Sequence, residues 1–211
     1  MIKQKAKFIS AARFGILTPV YDMFCEMLGL GKKYRVVVLK NIKIDNKKSK
    51  VLDAGCGTGS LAIDFKRKFP KTELYGIDID ERVLAIAKTK INNEKAKIRL
   101  KKASITSLPF DGSNFDAVYS SLVFHHLTSE TKRKAMKEVY RVLKRGGKFY
   151  LFDFGMPKSR FSLIAWFAVH LEEGYDNIKG NFPSMLHSAG FKSVKKVSEY
   201  GLGIDFLVAQ K

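Results

Sequence analysis

Cysteine is scarce in this chain: Cys25 and Cys56 are the only two in 211 residues, and they form no C-x-x-C pair. A disulfide framework is thereby excluded, and no zinc-binding spacing is left. No metal site is expected. No apolar run approaches the roughly 20 residues that a membrane span needs. Nor does any charged–apolar–small pattern mark a signal peptide. A soluble, cytoplasmic protein is the expectation. With five prolines, no internal repeat and no low-complexity stretch, nothing divides the chain. Its 45% hydrophobic content can fill one substantial core, so residues 1–211 are expected to form a single domain. Acids are also in short supply, at 20 Asp and Glu against 39 Lys and Arg, for a net charge of +19. The excess is densest in residues 1–50, which hold 12 basic residues against 3 acidic ones. Such a balance suits anionic lipid, RNA or an acidic substrate, and it equally suits a solvated lysine-rich surface.

Two further absences narrow the chemistry. No Gly-Lys-Ser or Gly-Lys-Thr occurs, so the chain has no P-loop. What stands instead is Val51-Leu52-Asp53-Ala54-Gly55-Cys56-Gly57-Thr58-Gly59, a short apolar strand that breaks into alternating glycines and then enters a helix. Glycine lets a backbone turn sharply and lets a ligand lie against it. The helix that follows aims its unpaired N–H groups at whatever the loop holds. A dinucleotide fingerprint would need Gly or Ala at position 60, where this chain has Ser60. The next strand-like run, Glu73-Leu74-Tyr75-Gly76-Ile77-Asp78, ends in an acid nineteen residues past Gly59. An acid there is placed to accept hydrogen bonds from ribose hydroxyls. A glycine loop with a ribose acid but no phosphate pattern suits a nucleoside cofactor without phosphate.

These residues resemble the class I S-adenosylmethionine (SAM)-dependent methyltransferases. VLDAGCGTG is similar to that family's first motif, and YGIDID to its second-strand motif. Ala103-Ser104-Ile105 with Leu108-Pro109-Phe110 resembles the adenine-side segment, although Ser104 stands where the family usually carries Asp. Phe115 to Val118 through His125-His126-Leu127 resembles the fourth-strand segment, and Val142 to Lys148 the turn into the fifth strand. The likeness runs from about position 34 to the C-terminus. It is nearest to the ubiquinone/menaquinone C-methyltransferases and the small-molecule and lipid-headgroup enzymes. It implies a Rossmann-like α/β fold: a seven-stranded, mostly parallel sheet with one antiparallel strand and helices on both faces. It also implies S-adenosyl-L-methionine as cofactor, leaving as S-adenosyl-L-homocysteine. The residues implied to hold it are Asp53, Gly55, Cys56, Gly57 and Gly59 in the loop, and Asp78 at the ribose. Ile79, Ser104 and Ile105 would flank the adenine, with Ser121 and Leu122 beside the methionine moiety.

The periodicity agrees with that fold. Strands are expected near 50–54, 73–78, 97–102, 115–121, 147–154, 193–199 and 203–209. Helices are expected near 20–30, 34–42, 59–69, 80–92, 129–144 and 178–189. The last two strands are joined by Gly201-Leu202-Gly203 and should form a hairpin. Residues 156–177 break the alternation with an apolar stretch at 161–171. That stretch reads as a lid which, with the N-terminal helices, lines an apolar acceptor pocket.

Methyl transfer from a sulfonium needs a nucleophile held near the methyl and water kept out; a base is needed only if the acceptor reacts after losing a proton. His125 and His126 follow the fourth strand. His125 is the candidate acceptor contact, since imidazole is the usual base near neutral pH, and one of the pair is expected to cap the next helix. In phosphoethanolamine-type methyltransferases a similarly placed histidine works with a tyrosine from an N-terminal helix, a part that Tyr21 could take. Asp153 and Phe154 end the fifth strand and are candidates to line the acceptor pocket. The implied acceptor is a small molecule, a lipid headgroup or a quinone, with peripheral contact to an anionic membrane. An RNA methyltransferase is the rival, weakened because Ser121-Leu122-Val123-Phe124 stands where an Asn/Asp-Pro-Pro-aromatic motif would build a flipped-base pocket. A non-catalytic SAM-binding or membrane-surface protein is the rival of another class.

Overall fold

The structure, a computed structural model, describes residues 26, 29–44, 48–155, 180–201 and 203–211. Tyr21, most of the helix expected over 20–30 and the whole of 156–177 lie outside them. The elements in chain order are α1 (Lys32–Asn41), β1 (Lys50–Ala54), α2 (Ser60–Lys68), β2 (Glu73–Asp78), α3 (Glu81–Asn93), β3 (Ile98–Lys102) and β4 (Phe115–Ser121). A 3₁₀ turn (Phe124–His126) follows, then α4 (Ser129–Val142), β5 (Leu143–Phe154), α5 (Phe182–Ser188), β6 (Ser193–Tyr200) and β7 (Ile204–Gln210).

The strands form one sheet in the order β3-β2-β1-β4-β5-β7-β6. All pairs among the first five are parallel, and β7 runs antiparallel to both β5 and β6. The expected seven strands, terminal hairpin and single reversed strand are all present. Alternation along the strands buries both faces. Leu52, Val118, Phe149 and Leu151 meet α4 and α5 on one side. Val51, Tyr119, Tyr150 and Phe152 meet α1 and α2 on the other. The chain leaves β1 toward β2 and β3 on one side and returns to β4 on the other, so β1 and β4 flank the switch point at which ligands bind in such sheets.

Local chemistry sets the helix ends. Asp80 caps α3 by accepting the Arg82 N–H at 2.8 Å. Thr128 caps α4 by accepting the Thr131 N–H at 3.3 Å. Thr128, not a histidine, therefore caps this helix; both histidines are spent in the preceding 3₁₀ turn. In α1 the run Val36-Val37-Val38 has strand propensity, yet it is helical because Tyr34 and Val38, one turn apart, are buried against the sheet. Arg35 ties this helix to α2 through Asp64 at 2.7 Å.

Two boundaries differ from expectation. The helix expected to reach 144 ends at Val142, because Leu143 is already extended and pairs with Phe115. The strand expected from 147 thus begins at Leu143 and carries an irregularity in its pairing with β4 before Lys148, with Gly146 at φ 77°. The basic residues Lys144 and Arg145 imitate a helix C-terminus there. The helix expected over 178–189 is shorter, Phe182–Ser188, with Pro183 in its first turn.

Phe65 is fully buried between α2 and the sheet, stacked on Tyr119 at 5.1 Å and tilted against Phe69 at 4.9 Å. Phe65→Ala removes that ring from the face that seats the loop after β1. Denaturant unfolding should show a loss of about 3–5 kcal/mol.

Candidate active site

The loop after β1 turns through three left-handed glycines: Gly55 at φ 89°, Gly57 at 51° and Gly59 at 78°. Each has its own reason. A Cβ on Gly55 would lie 2.4 Å from Cγ2 of Val123, in the turn after β4, so this glycine lets the two loops close on each other across the switch point. A Cβ on Gly59 would lie 3.0 Å from Cβ of Ala87, which brings α2 against α3. A Cβ on Gly57 would meet nothing within 4 Å, so here the backbone borders open space. Cys56 turns inward against Gly76, and burial pushes its thiol far up, so it fills a small space and is not a nucleophile.

Asp78, at the end of β2, binds this loop directly. One carboxylate oxygen accepts the Gly57 N–H at 3.0 Å and the other accepts the Asp80 N–H at 3.0 Å. Burial raises its pKa, and those backbone donors pull it back. Ile79 follows it, half-buried. Ala103 donates its N–H to the Asp78 carbonyl at 2.9 Å, which brings the adenine-side segment alongside. That segment is pinned from α4: Glu138 accepts the Leu108 N–H at 2.8 Å, and Arg141 donates to the carbonyls of Leu108 and Phe110 at 3.0 and 2.8 Å. The Ser104 hydroxyl is spent locally, within 2.8 Å of the Thr106 hydroxyl and accepting the Thr106 N–H at 3.2 Å. Ile105 is 8% exposed and joins the core cluster.

Asp53 is buried in β1, level with Tyr119 of β4. Among the described residues, its Oδ2 and the Tyr119 hydroxyl both lack a hydrogen-bond partner. The two lie close enough for the hydroxyl to restrain the carboxyl without reaching bonding geometry, and burial still pushes Asp53 up to about 8. A buried carboxyl oxygen with no donor fits a cationic ligand group, and the open space over Gly57 fits a ligand backed against the loop. By these two observations the residues present fit SAM, whose methionine end carries an ammonium.

The ends of β4 and β5 form the other half. Leu122 leaves β4 in a left-handed conformation at φ 58°, which is uncommon for a residue with a side chain. The turn it starts directs the N–H groups of Val123 and Phe124 onto Asp153 Oδ2, at 3.0 and 2.7 Å. Asp153 Oδ1 accepts the Phe154 N–H at 2.8 Å and lies 2.8 Å from His125 Nδ1. Burial alone would raise the Asp153 carboxyl, yet the His125 ring and these backbone donors hold it below the ordinary carboxylate range. The His125 side chain is 5% exposed, with His126 at 3.9 Å and Phe154 edge-on at 5.0 Å between ring centroids.

Ser121 is occupied by a tyrosine that the sequence did not mark as a site residue. The Tyr34 hydroxyl of α1 lies 2.8 Å from Ser121 Oγ, and its ring is edge-on to Tyr200 at 5.3 Å. Tyr34 lies on the helix just before the first strand, which was the available signal; Tyr21, the tyrosine named beside His125, lies outside the described residues. The structure therefore brings Asp53, the glycine loop, Asp78, Ile79, Ser104, Ser121, Leu122 and His125 to the carboxyl ends of adjacent strands β3, β2, β1 and β4, with Asp153 on β5.

An open parallel sheet with this loop at its switch point defines a nucleoside-cofactor protein of the α/β class. Residues 51–147 match the family model described as a methyltransferase domain. A demethylmenaquinone methyltransferase of Thermus thermophilus is 31% identical over 156 residues, covering 72% of this chain and 69% of that protein. A ubiquinone/menaquinone biosynthesis C-methyltransferase of Geobacter sp. (strain M21) is 30% identical, covering 69% of this chain but only 63% of that protein's length. In fold, the chain superimposes on phosphoethanolamine N-methyltransferase 2 of Haemonchus contortus with a TM-score of 0.71 at 18% identity, covering 92% of this chain and 57% of that one. The chain belongs to the class I SAM-dependent methyltransferases.

Two outcomes follow for the cofactor half. Asp78→Ala removes the clamp on Gly57 and, with it, the carboxylate expected to accept from the ribose, so calorimetry should find SAM binding weaker by about 1.5–3 kcal/mol or more. Gly57→Val should be more damaging still, since the side chain enters the open space and resists the left-handed backbone. The second outcome concerns Asp53. The folded, ligand-free protein keeps a proton that the unfolded chain releases near pH 4. Its contribution to stability is therefore complete below that pH and is lost as pH rises toward about 8. Melting curves across this window should show stability falling by up to about 1.4 kcal/mol per pH unit. Asp53→Asn should flatten that slope; an unchanged slope would assign it to other groups.

Proposed function

We propose that this chain transfers a methyl group from SAM to a small hydroxylated aromatic acceptor of the quinol type. The observation that carries the cofactor assignment is the pairing of open space at Gly57 with the unpartnered buried oxygen of Asp53. The acceptor class is supported by the relatives named for menaquinone and ubiquinone biosynthesis, and by the apolar Phe154 ring edge-on to His125. A net charge of +19 favours peripheral association with the anionic membrane surface, where lipid-soluble quinols lie.

When bound, SAM supplies both the methyl and its leaving group. The protein's own tasks are to hold, orient and exclude water. The loop N–H groups and Asp78 fix the nucleoside end, and Asp53 faces the methionine ammonium. His125 takes the proton of an acceptor hydroxyl, which makes the ring electron-rich enough to attack.

The test is transfer of labelled methyl from SAM to a naphthoquinol lacking the ring methyl, with phosphoethanolamine and RNA as competing acceptors. Label in the quinol is expected; label only in another acceptor, or in none, would overturn the reading. On the quinol, His125→Ala should slow transfer by about 10²–10⁴ with SAM affinity nearly unchanged. His126→Ala should chiefly lower stability. Normal turnover by the His125 variant would leave positioning alone to account for the rate.

A further inference from the structure

We propose that Asp153 is a positioning residue for acceptor deprotonation: it holds His125 in the tautomer that carries its proton on Nδ1, leaving Nε2 as the nitrogen that takes the acceptor's proton. This rests on the reading of His125 as the acceptor-contacting base. The argument begins with the donor count. Asp153 is 1% exposed and accepts three backbone N–H groups, from Val123, Phe124 and Phe154. Those donors stabilise the ionised form, and an ionised carboxylate can only accept. The contact at 2.8 Å from Oδ1 to His125 Nδ1 must then have the ring as donor. A neutral imidazole donates from one nitrogen only, so the basic lone pair is on Nε2.

The backbone is arranged for this contact. A residue at the end of β4 could continue in extended conformation, yet Leu122 takes a left-handed one, which a residue with a Cβ adopts only at a cost. The result is that two consecutive N–H groups converge on Oδ2, so Oδ1 is left for Phe154 N–H and the ring. If Asp153 only closed the turn, its backbone donors would suffice, and no ring need be seated on it. Among the described residues, Phe154 edge-on at 5.0 Å and His126 at 3.9 Å also pack against the imidazole.

In the step itself the acceptor O–H bond breaks, its electron pair stays on the oxygen, and the proton goes to Nε2. The imidazolium so formed keeps its Nδ1–H on Asp153, whose negative charge stabilises it. The transfer is easier from an acidic hydroxyl, such as a phenol or an enol, than from a simple alcohol, which suits a hydroquinol. Among the described residues, the titratable and charged groups around the pair include His126 on the same turn, Tyr34 of α1, and Asp205, level with Asp153 on β7 and paired with Lys196 of β6.

The closing experiment has two arms. In the ligand-free wild type, ¹⁵N spectra of the histidines at alkaline pH should show His125 protonated on Nδ1; protonation on Nε2 overturns the proposal whatever the activity. In the second arm, Asp153→Asn is compared with wild type for transfer to the naphthoquinol. Turnover should drop by about 10²–10⁴ with SAM affinity retained, and the acid limb of the pH–rate profile should move to lower pH as the imidazolium loses its counter-charge. A variant that melts earlier but turns over with the wild-type pH profile makes Asp153 purely structural and overturns the proposal alone. Wild type that methylates no hydroxylated ring overturns the functional reading instead, and the spectra still decide the tautomer. If Asp153→Asn does not fold, the spectra decide as well.

Discussion

The site depends first on one backbone constraint: between β1 and α2 the chain must pass three times through left-handed conformation within five residues. Only glycine does this cheaply. Because it does, the turn can lie under Val123 on one side and against Ala87 on the other, with its middle residue facing open space. Any Cβ at Gly55 would push the loop after β4 away and separate the two halves of the site. The position of His125 is thus linked through Val123 to a glycine seventy residues earlier in the sequence.

Carboxylates at the strand ends hold what the glycines permit. Asp78 and Asp153 share one design, each gathering backbone N–H groups from a loop that would otherwise carry unpaired donors. Their electrostatics differ. Asp78 rises on burial and is only partly restored by its donors, while Asp153 is driven below its ordinary range by an added imidazole. Asp53 has neither set of donors and rises furthest of the three. One sheet edge therefore presents a carboxylate completed by its own protein beside a carboxyl still lacking a partner. The completed one suits a fixed framework for a base. The incomplete one suits a cation that arrives from outside.

Much of this was legible in the sequence because it is local. The glycine spacing, the acid at Asp78, the alternation of strands and helices and the terminal hairpin each need only neighbouring residues to declare themselves, and all are found. The run 36–38 was read as helix correctly against its valines. What escaped was tertiary. Lys144 and Arg145 look like a helix terminus, and only pairing with β4 draws Leu143 into β5. Thr128 took the cap offered to a histidine because the 3₁₀ turn ends before the helix starts. Tyr34 was an ordinary core residue until α1 crossed the sheet and put its hydroxyl on Ser121. Asp153 and His125 were each suspected, but 28 residues of chain separate them, and no spacing rule joins them.

The charge of the protein bears on the same division of labour. A chain of net charge +19 repels a sulfonium at long range, so a cationic cofactor gains nothing from the overall field. Ordinary salt screens that field within about 10 Å. Inside that distance the balance is set by Asp53 and Asp78, two of the chain's 20 acids, both at the carboxyl ends of neighbouring strands. Within the same screening distance the lysine-rich surface attracts anions. Burial keeps a proton on Asp53 until a cation is beside it, so this carboxyl takes up its charge only against a partner of opposite sign, while the surface stays cationic throughout.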